Sequence, residues 1–417
     1  MYLDALKEYW LFRFLFMLFG YGTVIVPMFL VIAIVRRKYK ANELESPTLW
    51  NKWLISFAIG NREYDLITFG NTKRSNSVLQ SKRNRFFDDS VRLFIYFISL
   101  QITLITMGFF QEGIMTKGYT LRSSSSQVHK FSDTQFLVFL NRISALILSA
   151  SYLLFHRKRE PVHVPPLYKH SFTSISNTLS SWCQYEALKY VSFPTQTVCK
   201  ASKILPTMLL GFLVRGERYS KAACVSAVFI SLGASLFFLS NQTHTSKHTE
   251  DGGISAVSGM CLMIGYLMFD AFTLNWQKRL FDTQPRVSKY QMMFLVNTFS
   301  MVLCLVSLIE QRTLFSSIHF AVSHKSFARD ALMLSLSGAC GQVVIYMTIE
   351  RFGPIVFAVM MTVRQILSIA LSAVAYSHPM SVSGVFGLFI VFAAIFSNIY
   401  RQYFNSGLSG AQRTVAI

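Results

Sequence analysis

The chain has 417 residues, 52% of them hydrophobic and only 14% charged, with a formal net charge of +20. That balance excludes an ordinary soluble domain, where about a quarter of residues are charged, and expects an all-α polytopic membrane protein. Apolar windows, each long enough at about 20 residues to cross a hydrocarbon core, follow in order at 11–35, 91–110, 134–155, 170–188, 194–214, 222–240, 254–276, 290–310, 328–349, 354–376 and 381–400. The first is longer than a signal-peptide core and is followed by no small-residue cleavage site, so it reads as a retained signal-anchor helix. Short polar turns separate most of the others. The segment "TLWNKWLISFAIG" inside the long loop 36–90 reads as a short amphipathic helix lying on the membrane.

Charge sets the expected orientation. With the N-terminus lumenal and 36–90 cytosolic, 25 Lys and Arg fall on the cytosolic side and 8 on the lumenal side, as the positive-inside rule demands. The C-terminus is then cytosolic, and the sequon at Asn241 falls in a lumenal loop where a glycan can be added. Most of the positive charge is therefore topology, not nucleic-acid binding. The basic residues at 36–40 and 82–85 also suit anionic lipid.

Four cations have no interface to escape to: Arg142, Lys200, Lys203 and Arg364. A charge at bilayer depth costs several kcal/mol and marks a functional site by default. Acidic partners within the spans are few, with Asp270 the clearest, so an anion supplied from outside is expected. Set the first helix aside and ten spans remain, five and five. Lys203 in "KASKIL" and Arg364 in "MTVRQIL" then occupy matching places, the fourth and ninth spans. An odd number of spans per half makes the second half inverted, an arrangement that puts a substrate site near the midplane. The domain reading is a signal-anchor helix at 1–36, a basic cytosolic loop at 37–90, a first five-helix repeat at 91–240, a lumenal loop at 241–253, a second repeat at 254–400 and a cytosolic tail at 401–417.

Prolines Pro194, Pro206 and Pro354 flank or interrupt the two charged helices, either loosening them for bending or starting them. Glycines Gly211, Gly259, Gly265, Gly338 and Gly341 are expected to admit close helix packing. The six cysteines all fall in spans without zinc spacing, so buried free thiols are expected and no metal or other cofactor.

Several stretches are distinctive: "GFFQEGIMT" (108–116), "FSDTQFLVFLNR" (131–142), "SFTSISNTLSSWCQYEALKYVSFPTQTVCKASKILPTMLLG" (171–211), "FDAFTLNWQ" (269–277), "QMMFLVN" (291–297), "SGACGQ" (337–342) and "MTVRQI" (361–366). Through them the chain resembles the nucleotide-sugar carrier family of the drug/metabolite transporter superfamily, and within it the carriers of 3′-phosphoadenosine 5′-phosphosulfate (PAPS). The long N-terminal extension is most similar to the first Golgi subtype. The resemblance implies a Golgi membrane carrier that moves PAPS from cytosol to lumen in exchange for adenosine 3′,5′-bisphosphate. Its partners would be these two nucleotides and membrane lipid, with no nucleic acid, and a homodimer is left open.

Such a polyanion suits point-charge lysines and a forked arginine. Relatives place a basic residue on the fourth and ninth helices for the phosphates, and Lys203 and Arg364 match those places, with Lys200 and Arg142 as further cations. For base and ribose the candidates are Tyr185 and Gln184 at the end of the third helix, Tyr290, Gln291 and Asn297 on the seventh, Gln342 on the eighth and Asn177 on the third. Amides in membrane helices also bond neighbouring helices, which is the structural alternative for each of them. An enzyme is not expected: no phosphate-binding P-loop, H-E-x-x-H or His-paired nucleophile is found in the spans. A seven-helix receptor fails on helix count, and a channel on the local clustering of the cations. The remaining rival is a carrier of another nucleotide conjugate such as a UDP-sugar.

Overall fold

The computed structural model of the chain describes residues 10–41, 48–60, 82–116, 119–121, 124–129, 131, 133–158, 160–187, 190–191, 196, 199–200, 202–240, 253–283, 287–375, 383–387, 389–395 and 397. The sequon at Asn241 and the side chains of Arg13 and Tyr185 lie outside the described part. The elements are α1 (Trp10–Lys40), α2 (Leu49–Ala58), α3 (Lys82–Thr116), β1 (Tyr119–Leu121), β2 (Ser124–His129), α4 (Thr134–Phe155), α5 (Lys169–Ala187), α6 (Ile204–Arg215), α7 (Lys221–Ser240), α8 (Gly253–Phe281), α9 (Lys289–Glu310), α10 (Leu314–Ser323), α11 (Lys325–Ala375) and α12 (Ser383–Ile395). Among the described residues, six stretches are long and apolar enough to cross a membrane: Leu18–Lys40, Asp88–Gln111, Gln135–Phe155, Val257–Phe281, Lys289–Glu310 and Lys325–Leu367. Large apolar side chains such as Phe94, Phe109, Leu154 and Phe155 stand exposed on the outside of these helices, a surface suited to lipid and not to water.

The residues form two compact units, one of 1–175 and 277–351, the other of 176–276 and 352–417. The boundaries fall inside α5, inside α8 and at a break in α11. At that break Gly353 has φ 86° and ψ 173°, a conformation open to a residue without Cβ. Pro354 follows, starting the second helix where the missing N–H has no partner to lose.

In the first unit α4 packs along α9. Asp133 caps α4 by accepting from the Phe136 N–H at 3.2 Å, and Ser288 and Gln291 form a capping box at the start of α9. The β1–β2 hairpin, unforeseen in the sequence, is tied down next to an aromatic cluster in which Tyr119 and Phe131 meet Phe327 at 5.4 and 4.5 Å between ring centroids.

In the second unit α6 and α7 share a core with α11 and α12: Ile204, Met208, Ala227, Ile230, Ala234, Phe237, Ala358, Ile366, Val391 and Ala394. α7 and α12 cross backbone to backbone at Gly233 and Gly387. A Cβ on Gly387 would lie 2.6 Å from Gly233 O and 2.7 Å from Phe237 N. α5 is a helix of 19 residues whose buried face is hydroxylic, with Ser171, Thr173, Ser174, Ser176 and Ser180 all buried. In this unit Ser176 Oγ donates to Phe269 O at 2.7 Å and Ser180 Oγ to Tyr266 O at 3.2 Å, fastening α5 to α8 without bulk between them.

Two expectations change. The fourth span is not one regular helix over 194–214: Gln196, Cys199 and Lys200 are helical, Ser202 and Lys203 form a turn, and α6 begins at Ile204. Ahead of it the Ser202 and Lys203 N–H groups donate to carbonyls three residues back, at 3.2 and 3.3 Å. Twelve residues rise only about 18 Å, and Pro206 sits in the first turn, where an N–H is dispensable. The cysteines are free, but three of them, Cys224, Cys261 and Cys340, are exposed and not buried. They lie on outward helix faces, where a thiol behaves as a small hydrophobe.

Candidate functional site

Three of the four deep cations gather in the second unit. Lys203 is the N-cap residue of α6 and only 8% exposed. Its Nζ stands 3.6 Å from Asp270 Oδ2 and 5.4 Å from the centroid of the Phe357 ring. Lys200 Nζ donates to Gln196 Oε1 at 2.9 Å and lies 6.0 Å from the Tyr266 ring centroid. Tyr266 and Asp270 are one helical turn apart on α8, so both lysines face the same strip of that helix. Arg364 follows Phe357 by seven residues on α11, which returns it to the same face two turns on. Lys203, Arg364 and Asp270 all lie within electrostatic reach of Lys200, and Arg364 Nε is buried with no hydrogen-bond partner among the described residues.

Three cations against one carboxylate leave the cluster with an excess of positive charge. What positions the cluster is the shared core of α6 and α11, where Ile204 packs with Ala358 and Ile366.

The fourth deep cation belongs to the first unit. Arg142 Nη1 donates to Asn297 Oδ1 at 3.4 Å. The Asn297 amide donates in turn to Met293 O at 2.7 Å and Gln342 Oε1 at 2.9 Å. Asn297 is fully buried, and among the described residues no carboxylate lies within ion-pair distance of Arg142. An amide chain from α9 to α11 thus holds a guanidinium that has no counter-ion among those residues. Replacing Asn297 with alanine removes the partner of both Arg142 and Gln342. A loss of about 2 kcal/mol is expected, read as a lower thermal midpoint of the detergent-solubilised protein.

Nearby in sequence, Tyr290 stacks on Tyr152 at 3.6 Å between ring centroids, and Tyr152 on His156 at 4.4 Å. Tyr152 and Tyr290 line a cavity of about 240 Å³ together with Glu160, Pro161, Lys289 and Glu350. Gln291 is engaged on both sides, accepting from the Ser288 N–H at 3.2 Å and donating to Pro161 O at 2.6 Å.

A model of the UAA transporter family matches residues 92–402. The chain belongs to the UAA transporter family. A Caenorhabditis elegans relative, adenosine 3′-phospho 5′-phosphosulfate transporter 1, is 52% identical over 97% of this chain and 95% of its own length. The human protein of the same name is 39% identical over 96% of this chain and 89% of its own. UDP-galactose/UDP-glucose transporter 5 of Arabidopsis thaliana is 35% identical over 72% of this chain and 85% of its own. The two animal alignments are so nearly complete that they take in α1, well ahead of the family match.

In this UAA transporter the remaining predicted residues are scattered. Gln184 offers its carbonyl to Gln196 Nε2 at 2.8 Å, and the Asn177 carbonyl accepts from Ser181 Oγ at 2.9 Å. The Tyr185 side chain and Asn241 lie outside the described part. Gln196, Tyr266 and Phe357 were missed in the sequence. The signal for Tyr266 was its spacing from Asp270 in "YLMFD". Gln196, 1% exposed, carried none, being one polar residue among others in "PTQTVCK".

Proposed function

We propose that this multi-pass membrane transporter carries PAPS from the cytosol into the Golgi lumen, in exchange for adenosine 3′,5′-bisphosphate, by alternating access. The observation that carries this reading is the cation cluster of Lys200, Lys203 and Arg364 with Asp270 as its one carboxylate among the described residues. PAPS has about four negative charges on its 3′-phosphate and phosphosulfate, and such a cluster repays their desolvation. Animal relatives named for this cargo, at 39–52% identity over nearly the whole chain, support the same substrate.

In this reading Lys203 and Arg364 grip phosphate and sulfate oxygens, Lys200 adds to the field, and Arg142 on its amide support is a further anion contact. Tyr290 with its stacked partner Tyr152 suits a purine. Asn297 and Gln342 hold Arg142, and Gln291 fixes the start of α9. The ten-helix core of two inverted five-helix repeats over 91–240 and 254–400 belongs to the proposal. So do the lumenal N-terminus, the cytosolic C-terminus and glycosylation at Asn241.

The test is uptake of sulfur-labelled PAPS into proteoliposomes holding the purified protein. Preloading with adenosine 3′,5′-bisphosphate is expected to stimulate uptake several-fold over empty or UMP-loaded vesicles. Exchange of a UDP-sugar in place of PAPS, the cargo class of the Arabidopsis relative's name, would sink the substrate assignment while leaving the transporter reading intact.

A further inference from the structure

α2 lies far in sequence from the cation cluster, in the first unit, and is firmly docked. Its inner face places Leu54, Phe57 and Ala58 against Ile32 and Val35 of α1. The Leu167 and Tyr168 N–H groups donate to Ser56 O and Phe57 O, both at 3.3 Å, and Arg36 Nη2 donates to Tyr168 Oη at 2.8 Å. Beyond its end, Gly60 backs directly onto Val164 and Pro166. Held this way by its second half, α2 leaves its first turns bare, with Leu49 86%, Trp50 66% and Trp53 48% exposed. The two indoles stack at 5.3 Å between ring centroids, and Trp53 stacks on Phe57 at 5.4 Å. They are therefore a preformed plate and not two mobile side chains.

Both helices also carry exposed positive charge. The last turn of α1 carries Arg37, Lys38 and Lys40, all exposed, and Lys52 is exposed on α2 itself. At the same end of α1, Lys169 is held below the usual lysine range by burial first and then by the charges of Arg279 and Arg36. This corner of the unit is crowded with cations.

Indoles belong at the boundary between headgroup and acyl chain. A Lys or Arg held beside an anionic leaflet is worth about a fivefold enrichment. Both features meet here, at the end of α1 that the charge balance assigns to the cytosol. We propose that the exposed first turns of α2 and the last turn of α1 form a binding site for an anionic phospholipid of the cytoplasmic leaflet. Trp50 and Trp53 sit at its glycerol and upper acyl level, and Arg37, Lys38 and Lys40 take the headgroup. The site rests on the proposed topology and is independent of the cargo.

The test is quenching of tryptophan emission by lipids brominated on the acyl chain. The full-length protein is reconstituted in phosphatidylcholine vesicles containing brominated phosphatidylserine or brominated phosphatidylcholine at matched mole fraction. The chain has five tryptophans, so the signal lost in Trp50→Phe/Trp53→Phe isolates the two at the site. Brominated phosphatidylserine is expected to quench that signal at least about twofold more than brominated phosphatidylcholine. Arg37→Gln/Lys38→Gln/Lys40→Gln is expected to erase the preference while leaving phosphatidylcholine quenching unchanged. Equal quenching by the two lipids overturns the proposal. Quenching by neither also overturns it and assigns the face to a protein contact such as a second copy. Should the phenylalanine variant fail to reconstitute, the basic variant decides through total emission, and a phosphatidylserine preference that survives it overturns the site.

Discussion

Lys203→Ala is expected to reduce PAPS exchange by about 10- to 100-fold in proteoliposomes, because a charge-assisted hydrogen bond to a buried oxyanion contributes about 1.5–3 kcal/mol. The loss has two components, and they can be separated. Lys203 faces Asp270 at 3.6 Å, so removing the ammonium also strands a carboxylate that is only about a quarter exposed, which destabilises the fold. Lys203→Ala/Asp270→Asn removes both partners. Its thermal midpoint is expected to recover most of the way, while its uptake stays low because the cargo's phosphate still lacks its cation. Uptake that recovers together with stability would mean that Lys203 serves the protein and not the cargo. Lys203→Arg keeps the charge but replaces a compact ammonium with a longer planar fork, so an intermediate rate is expected. Arg364→Ala should resemble Lys203→Ala in uptake with a smaller cost in stability, as no carboxylate lies within ion-pair distance of Arg364 among the described residues.

Gly387→Val is expected to abolish the monodisperse peak of the solubilised protein in size-exclusion chromatography. In membrane-embedded helices small residues let backbones touch, and dispersion between them replaces the hydrophobic effect, which gives no advantage against lipid. A Cβ at Gly387 would meet the backbone of Gly233 at 2.6 Å and of Phe237 at 2.7 Å. Backbone cannot rotate aside as a side chain can, so α7 and α12 must separate along the core that also seats Ile366 and Ala358. A cost above the usual overpacking range of about 1–3 kcal/mol follows. Gly108→Ala is the control. No neighbouring atom lies within 4 Å of a Cβ placed there, and alanine favours a helix interior by about 1 kcal/mol, so its elution profile and midpoint should be unchanged or slightly improved. A normal profile for Gly387→Val would refute the close crossing.

Much of this protein is written locally. A run of apolar residues long enough for a bilayer can be read without knowing its neighbours, so α1, α3, α4, α8 and α9 lie where hydropathy puts them. The break before Pro354 and the serine-rich face of α5 are similarly legible, the first from the Gly-Pro pair and the second from hydroxyls recurring at helical spacing. The oddity of Lys200, Lys203, Arg142 and Arg364 is also local, because a charge in an apolar run is costly wherever it ends up.

Which groups those cations meet is not local. Lys203 is separated from Asp270 by 67 positions in the chain, and Arg142 from Asn297 by 155. Each pairing depends on which face two helices turn to each other, which side-chain packing decides and hydropathy does not encode. The same holds for the hairpin at Tyr119–His129, whose serine run carries no strand signal and whose anchor is an aromatic cluster drawn from distant segments. It holds again for the turn at Ser202 and Lys203 ahead of α6, since a run long enough for one span carries no sign of where its helix is interrupted. The sequence by itself determined the longest apolar spans, the charge asymmetry along the chain and the misfit cations. Only the tertiary structure decided that three of those cations gather in one unit, with Asp270 beside Lys203, while the fourth rests on amides, because helix rotation and crossing are set by contacts between segments far apart in the chain.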